Sequence, residues 1–227
     1  MIKVFSNKFG TSPFSRKGLI ILEEKGLPYE KINTDPEFLP MGFGEMNPNL
    51  RASLLIDGDE HVFESNNIVD YLLRMYPGCQ SETPSLPPLA ETMTRPEHHI
   101  NDAKILETIE TILNASVNIG LFALSNINPA DIKPWGWLWE RDPERIQSCL
   151  SWLDKKATPE GFVPDVFSIM DLNLVCAFRM LTRMTNEDWS SYKNLSALHE
   201  FFILRPSVVK TDPGPPQWEI PDWKASN

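Results

Sequence analysis

Ser12, near the beginning of the chain, is placed where a hydroxyl group could bind an anion. It follows a short apolar run at residues 2–5 and directly precedes Pro13, an order that predicts a strand, a turn and then a helix beginning at Pro13. Free backbone N–H groups and the helix dipole favour negative charge at a helix N-terminus, where a hydroxyl can add a hydrogen bond. A Ser-Pro pair is also a common start for any helix, so the residues alone leave a purely capping role open.

A second polar group, Glu64-Ser65-Asn66-Asn67, lies between a strand-like apolar run and a helical one. These residue types also suit an ordinary helix start. Together with Ser12, they place polar side chains at two helix N-termini. The pattern therefore indicates a pocket for a small anionic ligand.

The elements that would position these residues alternate in the first third of the chain. Strand patterns occur at residues 2–5, 28–32, 54–56 and 61–63, and helical spacing occurs at 17–25 and again from residue 68. Gly26 is a suitable helix end, and Asp57-Gly58 between two apolar runs predicts a hairpin. Residues 38–49, rich in Pro, Gly and Asn, predict an irregular segment with one helical turn. The predicted order is βαβαββα. Gly18, inside the first helix, costs about 1 kcal/mol of helix propensity.

Beyond residue 88 we find helical patterns and no convincing strand. Helices are predicted at residues 100–124, 142–153, 168–181 and 195–204, the last closed by Arg205-Pro206. The third begins at a capping-box pattern, Ser168 to Asp171. The first carries an apolar stripe made of Ile105, Ile109, Leu113, Val117 and Leu121.

A stretch with many Pro, Gly and Ser residues separates these two parts. We therefore predict an α/β domain at residues 1–77, a linker at 78–88 and an all-α helical domain with an extended C-terminal tail at 89–227.

The composition argues against several classes of protein. The chain has 227 residues and a formal net charge of −10 without a Lys- or Arg-rich run, so we expect no nucleic-acid binding. No apolar stretch approaches the ~20 residues of a membrane span and the N-terminus lacks a signal-peptide pattern, which favours the cytoplasm. Cys79, Cys149 and Cys176 are too widely spaced for a disulfide framework or a zinc site, and the last two are expected in the core. No metal is expected, because the adjacent His98 and His99 do not share a helix face.

The order and spacing of these motifs resemble the cytosolic glutathione S-transferase family over nearly the whole chain. The family has a thioredoxin-like N-terminal domain, which binds glutathione, and a helical domain, which supplies most of the pocket for an apolar second substrate. The matching segments are Ser12-Pro13-Phe14-x-Arg16-Lys17, Glu23 to Glu30, Asn47-Pro48, Asp57-Gly58, Glu64-Ser65-Asn66 and Ser168-Ile169-Met170-Asp171.

The resemblance implies a role for several residues. Ser12 matches the serine whose hydroxyl donates to the glutathione thiolate, and the absence of cysteine there argues against chemistry through a protein thiol. Glu64 would bind the α-ammonium of the γ-glutamyl end and Ser65 its α-carboxylate. The backbone of Ala52 would pair with the cysteinyl part, and Arg51 is near enough to help with a carboxylate.

Ser53 departs from the family, whose members have a cis-proline at this position. A cis bond costs ~3–4 kcal/mol before a residue other than proline, against ~0.5–1 kcal/mol before proline. The sequence therefore predicts either a strained cis bond between Ala52 and Ser53 or a trans loop that weakens glutathione binding.

The resemblance implies an enzyme that transfers glutathione to an apolar electrophile and forms a homodimer. Phe9, Phe14 and Ile105 are candidates for the apolar pocket. Two alternatives remain open from the sequence. One is a non-catalytic binding or interaction module on the same fold, which Ser53 favours. The other is a glutathione-dependent lyase, peroxidase or isomerase.

Overall fold

The computed structural model describes residues 1–7, 12–34, 39–51, 53–78, 86–185 and 187–214. Within them, the first third of the chain forms a four-stranded sheet with helices, and the predicted thioredoxin-like order βαβαββα is confirmed. The elements are β1 (Ile2–Asn7), α1 (Pro13–Glu24), β2 (Tyr29–Thr34), α2 (Phe43–Met46), β3 (Leu54–Asp57), β4 (Glu60–Phe63) and α3 (Ser65–Met75).

The sheet has the strand order β2-β1-β3-β4 and mixes parallel with antiparallel pairs. β1 and β2 are parallel, with Ile2 opposite Tyr29, whereas β3 runs antiparallel to both β1 and β4. Parallel neighbours need a crossover connection, which α1 provides. The chain therefore leaves the carboxyl end of β1 and enters α1 at Pro13, directly after Ser12.

α1 is buried on nearly every side. Ten of its twelve residues are buried, because α3 covers it from one direction and helices of the second half of the chain from another. Gly26 closes the helix at φ +61: its N–H donates to the carbonyl of Glu23, and the N–H of Leu27 donates to the carbonyl of Leu22. This Schellman arrangement confirms the predicted stop at Gly26.

Gly18 lies where α1 packs closely against α3. A Cβ atom built on it would lie 2.9 Å from Cγ2 of Ile68 in α3. Glycine at this position lowers helix propensity, but because it has no Cβ atom it allows the two helices to pack closely.

The regular secondary structure described in the second half of the chain is helical, apart from isolated bridges that pair Leu89 with Phe167 and Thr158 with Gly161. The central helix, α7, has 14 of its 16 residues buried and contacts α1, α4 and α8. The α-helices are α4 (His99–Leu124), α5 (Trp137–Glu140), α6 (Asp142–Asp154), α7 (Ile169–Met184), α8 (Lys193–Phe202) and α9 (Pro206–Lys210). The all-helical character predicted for this half is confirmed. Residues 79–85 of the predicted linker, including Cys79, lie outside the described residues, as do tail residues 215–227.

The predicted capping box at the start of α7 is present. The Asp171 N–H donates to Ser168 Oγ, while the Asp171 carboxylate accepts from the backbone N–H groups of Ser168 and Phe162. Burial raises the pKa of Asp171 to about 7, although these hydrogen bonds favour the ionised carboxylate.

Three details predicted for the helical half are wrong. Leu121 is exposed, because residues spaced by four drift about 40° around the helix at each step and leave the core-facing side. Pro206 does not close the last helix but begins α9, since proline at the first helical position loses no hydrogen bond. Cys149 is only half-buried, whereas Cys176 lies in the core as predicted.

Residues 96–124, which end in α4, form the one described helix with the length and mean hydropathy of a membrane span. Its apolar residues pack against α6 and α7, as those of a core helix do. Packing in the protein core explains its apolar composition as well as insertion into a membrane would.

Candidate functional site

The ends of three strands, β1, β3 and β4, lie at one edge of the sheet. The antiparallel register pairs Leu54, the first residue of β3, with Phe5 of β1 and with the last residue of β4. Ser53, just before β3, and Glu64, just after β4, therefore lie at the edge where the chain leaves β1 for α1. The topology thus brings Ser12, Ser53 and Glu64 to the same side of the molecule.

Ser12 is the N-cap of α1, as predicted. Its backbone is extended, with φ −64 and ψ 114, and its Oγ accepts a hydrogen bond of 3.3 Å from the backbone N–H of Ser15. Its carbonyl accepts from the N–H of Arg16 at 3.1 Å. A hydroxyl has one hydrogen to donate besides its acceptor lone pairs. Capping α1 and donating to a bound anion are therefore compatible roles for this side chain.

Ser53 connects the start of α1 with the start of α3. Its Oγ lies 3.5 Å from Ser15 Oγ in the first turn of α1. Its carbonyl accepts a 3.2 Å hydrogen bond from the N–H of Glu64. Ala52, with the geometry of the Ala52–Ser53 bond, lies outside the described residues, so both predicted alternatives for this loop stay predictions.

Glu64 and Ser65 form the N-terminus of α3. Glu64 is the N-cap, in a left-handed conformation with φ +68 and ψ 132, and its carbonyl accepts from the N–H of Ile68. Its carboxylate accepts a 2.6 Å hydrogen bond from Asn49 Nδ2. Ser65 is the first residue of the helix and is buried. One carboxylate and a helix N-terminus therefore stand side by side, which suits a ligand that carries both an ammonium and a carboxylate group.

The loop before β3 supports this arrangement. Asn47 is wholly buried, its Nδ2 donates to the carbonyl of Arg51 at 2.7 Å, and its Oδ1 accepts from the N–H of Asn49 at 3.0 Å. Asn49 in turn holds Glu64. Arg51 is exposed, so its side chain can reach a ligand at this edge. The role of Asn49 was not predicted from the sequence, although its position directly after Asn47-Pro48 marks a turn.

The three candidates for an apolar pocket differ in position. Phe14 is half-buried and packs against the main core from the first turn of α1. Ile105 is 3 % exposed and belongs to the interior of the helical half, so the structure offers no support for its place in a pocket. Phe9 lies outside the described residues.

A buried ion pair that was not predicted from the sequence lies behind the site. Lys17 Nζ lies 2.6 Å from Glu110 Oε2 of α4 and 3.4 Å from Asn66 Oδ1 of α3. One signal for its burial was available in the sequence. Lys17 precedes Ile20 and Ile21 by three and four residues, so the three side chains share a helix face.

A cavity of about 730 Å³ lies at the opposite end of α1, between β2 and α9. Its polar side chains bind one another: the Tyr29 hydroxyl donates to Glu23 at 2.7 Å, Lys210 binds the same carboxylate at 2.6 Å, and Arg205 binds Glu24 at 2.5 Å. Burial, and then the hydrogen bond to Glu23, raise the pKa of Tyr29. We assign no ligand to this cavity. Elsewhere in the described part of the chain, no cluster of His, Cys, Asp and Glu is placed to hold a metal ion.

Comparison with known proteins gives a family for the N-terminal part. Residues 8–81 match the family model described as glutathione S-transferase, N-terminal domain. A stringent starvation protein A homolog from Haemophilus ducreyi is 35 % identical over 77 residues, which are 34 % of this chain and 35 % of that protein. The chain thus spans about a third of the length of the first curated relatives that it matches.

Solved structures match nearly the whole chain. A glutathione S-transferase from Methylobacillus flagellatus with glutathione bound has a TM-score of 0.73 and 20 % identity, covering 94 % of this chain and 100 % of its own. A glutathione S-transferase from Methylobacterium radiotolerans in complex with glutathione sulfonate has a TM-score of 0.73 and 23 % identity, covering 97 % and 98 %.

A thioredoxin-like sheet followed by an all-helical half is the fold of these two structures, and the matches cover 94 % and 97 % of this chain. The match to the glutathione S-transferase N-terminal domain covers residues 8–81, and over this part of the chain it confirms the resemblance inferred from the motifs.

Proposed function

We propose that this protein is a serine-type glutathione S-transferase that adds the glutathione thiolate to an electrophilic apolar small molecule. The observation that supports this most directly is the position of Ser12, the N-cap of α1, at the same sheet edge as Glu64 and Ser65. A site for glutathione needs one group for the sulfur and separate groups for the charged ends of the tripeptide. We assign Ser12 to the sulfur, and Glu64 and Ser65 to the γ-glutamyl end.

The proposed chemistry depends on holding the sulfur as a thiolate, because the thiol is a poor nucleophile. Lowering a thiol pKa by about two units needs ~2.7 kcal/mol of preferential stabilisation of the thiolate. The N-terminus of α1 contributes ~0.3–2 kcal/mol, and a hydroxyl that donates to a charged acceptor contributes ~1.5–3 kcal/mol. The two together contribute ~1.8–5 kcal/mol, a range that includes the ~2.7 kcal/mol required, so the proposed reaction uses neither a general base from the protein nor a metal.

The remaining contacts follow from the positions of the other residues. The Glu64 carboxylate would accept from the α-ammonium, and Ser65 would donate its N–H and hydroxyl to the α-carboxylate. The backbone at Ala52 and Ser53 would pair with the cysteinyl part, and Arg51 would approach the glycine carboxylate. The electrophile would then lie against Phe14, on the side of α1 that faces the helical half. We further propose a cytoplasmic homodimer, as the family resemblance implies.

Substitution of Ser12 tests the assignment. We expect Ser12→Ala to lower the rate of glutathione conjugation to a generic aromatic electrophile by about 10–100-fold, as loss of one hydrogen bond to the reacting sulfur does. Because the same change removes a helix cap, it also costs about 1 kcal/mol of stability. Ser12→Asp separates the two effects, since aspartate caps α1 equally well but repels a thiolate. It should keep the wild-type unfolding midpoint and lose the activity. Full activity in Ser12→Ala would exclude Ser12 as the thiolate donor.

A second candidate function is a non-catalytic module on the same fold. Two observations favour it: the similarity of the first third of the chain to a protein named as a stringent starvation protein A homolog, and the serine at position 53. Retention on immobilised glutathione, followed by the conjugation assay, separates the two. Retention with turnover supports the transferase, and retention without turnover supports the module.

A further inference from the structure

Lys17 is a fully buried charge at the meeting point of three helices. Its Nζ donates to Glu110 Oε2 on α4 at 2.6 Å and to Asn66 Oδ1 on α3 at 3.4 Å. It also lies 5.7 Å from the centre of the Phe14 ring. Burying an ammonium is costly unless it is both paired and hydrogen-bonded, and here the partners come from two other elements.

The packing at this position does not require a charge. The side chain of Lys17 is 0 % exposed, whereas that of Glu110 keeps 21 % of its surface in contact with solvent. A methionine would fill a similar volume without the cost of desolvation, and such replacements of buried ion pairs are often neutral or stabilising. The presence of the ammonium therefore points to a role for Lys17 in holding together the elements that it connects.

What Lys17 connects is the two helix N-termini of the candidate site. It follows Ser12 by five residues on α1, and its partner Asn66 directly follows Ser65 at the start of α3. Through Glu110 the same ammonium is joined to the helical half of the molecule.

We propose that Lys17 is a positioning residue for glutathione, which sets the distance between the start of α1 and the start of α3. Glu110 holds the ammonium in place, so this distance depends on how the helical half packs against the sheet domain. The inference rests on the proposed function, because it requires glutathione to span these two helix N-termini. Lys17 itself does not touch the ligand.

The test compares glutathione affinity with stability in matched variants. Affinity is measured by calorimetric titration with reduced glutathione, and stability by urea unfolding. Lys17→Met leaves Glu110 and Asn66 without the ammonium, so we expect a lower unfolding midpoint and a dissociation constant raised about tenfold. In the double variant Lys17→Met/Glu110→Gln no unpaired carboxylate is left. The unfolding midpoint should return toward the wild-type value, while the affinity for glutathione stays low. Lys17→Arg keeps the charge and should restore much of the affinity.

Glu24→Gln is the control, because it breaks another buried ion pair, with Arg205, at the other end of the same helix. It should lower the midpoint and leave glutathione affinity unchanged. The double variant carries the test if Lys17→Met alone does not fold.

Two results would overturn the inference: wild-type affinity in Lys17→Met, or affinity that returns together with the midpoint in the double variant. Either would mean that Lys17 serves only the fold, while the proposed function would stand. A wild-type protein that does not bind glutathione would overturn both.

Discussion

The backbone of Glu64 is held in a conformation that favours glycine. A residue other than glycine at φ +68 costs of order 1–3 kcal/mol, a cost found mostly at functional sites. The backbone groups of Glu64 make contacts that glycine would also make, with the Ser53 carbonyl and the Ile68 N–H. The carboxylate, held by Asn49, is what glycine would lack.

Glu64→Gly should therefore separate stability from binding. We expect the free energy of unfolding to rise by about 1 kcal/mol, because the relieved strain exceeds the entropy that glycine adds to the unfolded chain. We also expect glutathione affinity to fall by at least about tenfold, because the α-ammonium loses its charged partner. Urea unfolding and calorimetric titration measure the two effects.

Glu64→Gln is the matched variant for this prediction, since it keeps the strained backbone and the length of the side chain. It should lose affinity without gaining stability. Wild-type affinity in Glu64→Gly would show that the carboxylate does not bind the ligand.

Local chemistry made some residues of the site predictable and left others out of reach. Ser12 was identifiable as a helix cap from its own neighbours, and Glu64 from the hairpin before it. The partner of Lys17 was not, because Glu110 is 93 residues away and nothing local distinguishes it among the 31 acidic residues of the chain. A contact between distant elements depends on how the helices cross, which the spacing of residues within one helix does not determine.

Helix α8 contains a histidine that is partly buried among aromatic rings. His199 lies 4.7 Å from the ring of Trp189 and 5.4 Å from that of Phe178, measured between ring centres. Burial, and then the positive charges of Arg16 and Arg179, lower its pKa to about 4. The folded protein therefore contains neutral His199 at pH values where an unfolded chain binds a proton there.

This shift predicts a pH dependence of stability. The unfolded histidine takes up a proton below pH 6.5, whereas the folded one does so only near pH 4, so acid favours the unfolded state across this range. We expect the wild-type protein to lose about 3 kcal/mol relative to His199→Phe between pH 7 and pH 4. Urea unfolding of both proteins at several pH values measures the difference.

The comparison with His199→Phe is needed because Asp171 acts in the opposite direction. Its raised pKa makes the folded state bind the extra proton, so its contribution to stability is lost as the pH rises toward 7. That contribution is common to both proteins and cancels. A difference between them that stays constant with pH would show that His199 is not held neutral.

At the scale of secondary-structure elements, the first and last residues of a helix were more predictable than the neighbours against which its faces pack. Side-chain caps and glycine stops define the ends of α1 and the start of α7 by short-range hydrogen bonds. The close approach of α1 and α3 at Gly18 was not predictable, because it depends on Ile68, fifty residues further on. In isolation the glycine indicated only a weaker helix.

Across the whole molecule, α1 joins the two halves by charge as well as by apolar packing. Five charged side chains of α1 and its C-cap each pair with a residue of the second half. The pairs are Arg16 with Asp212, Lys17 with Glu110, Glu23 with Lys210, Glu24 with Arg205, and Lys25 with Glu91. The pair Glu24–Arg205 is buried on both sides, and Glu24 also accepts from Ser207.

Glu24→Gln should weaken the coupling between the halves. It leaves the buried guanidinium of Arg205 without a counter-charge, which costs about 3 kcal/mol. All seven tryptophans lie at residue 135 or beyond, so their fluorescence reports the helical half, whereas far-ultraviolet circular dichroism reports the whole chain. We expect the two unfolding midpoints to coincide in the wild-type protein and to separate in the variant.

Lys210→Ala is the comparison for this prediction, because it removes a pair between the halves in which Lys210 is mostly exposed. It should change the free energy of unfolding by less than about 1 kcal/mol and leave the two midpoints together. Equal effects of the two variants would contradict the coupling assigned to Glu24.

The placement of these ion pairs also limits how the protein can be rebuilt from parts of its relatives. A chimaera that received its sheet domain from another family member would import a first helix whose charges match a different set of acceptors. The grafted helix would then bury cations and anions against the wrong neighbours. Exchange should therefore succeed only when α1 is transferred together with the residues that form ion pairs with it. The practical unit of recombination is α1 with all of these partners.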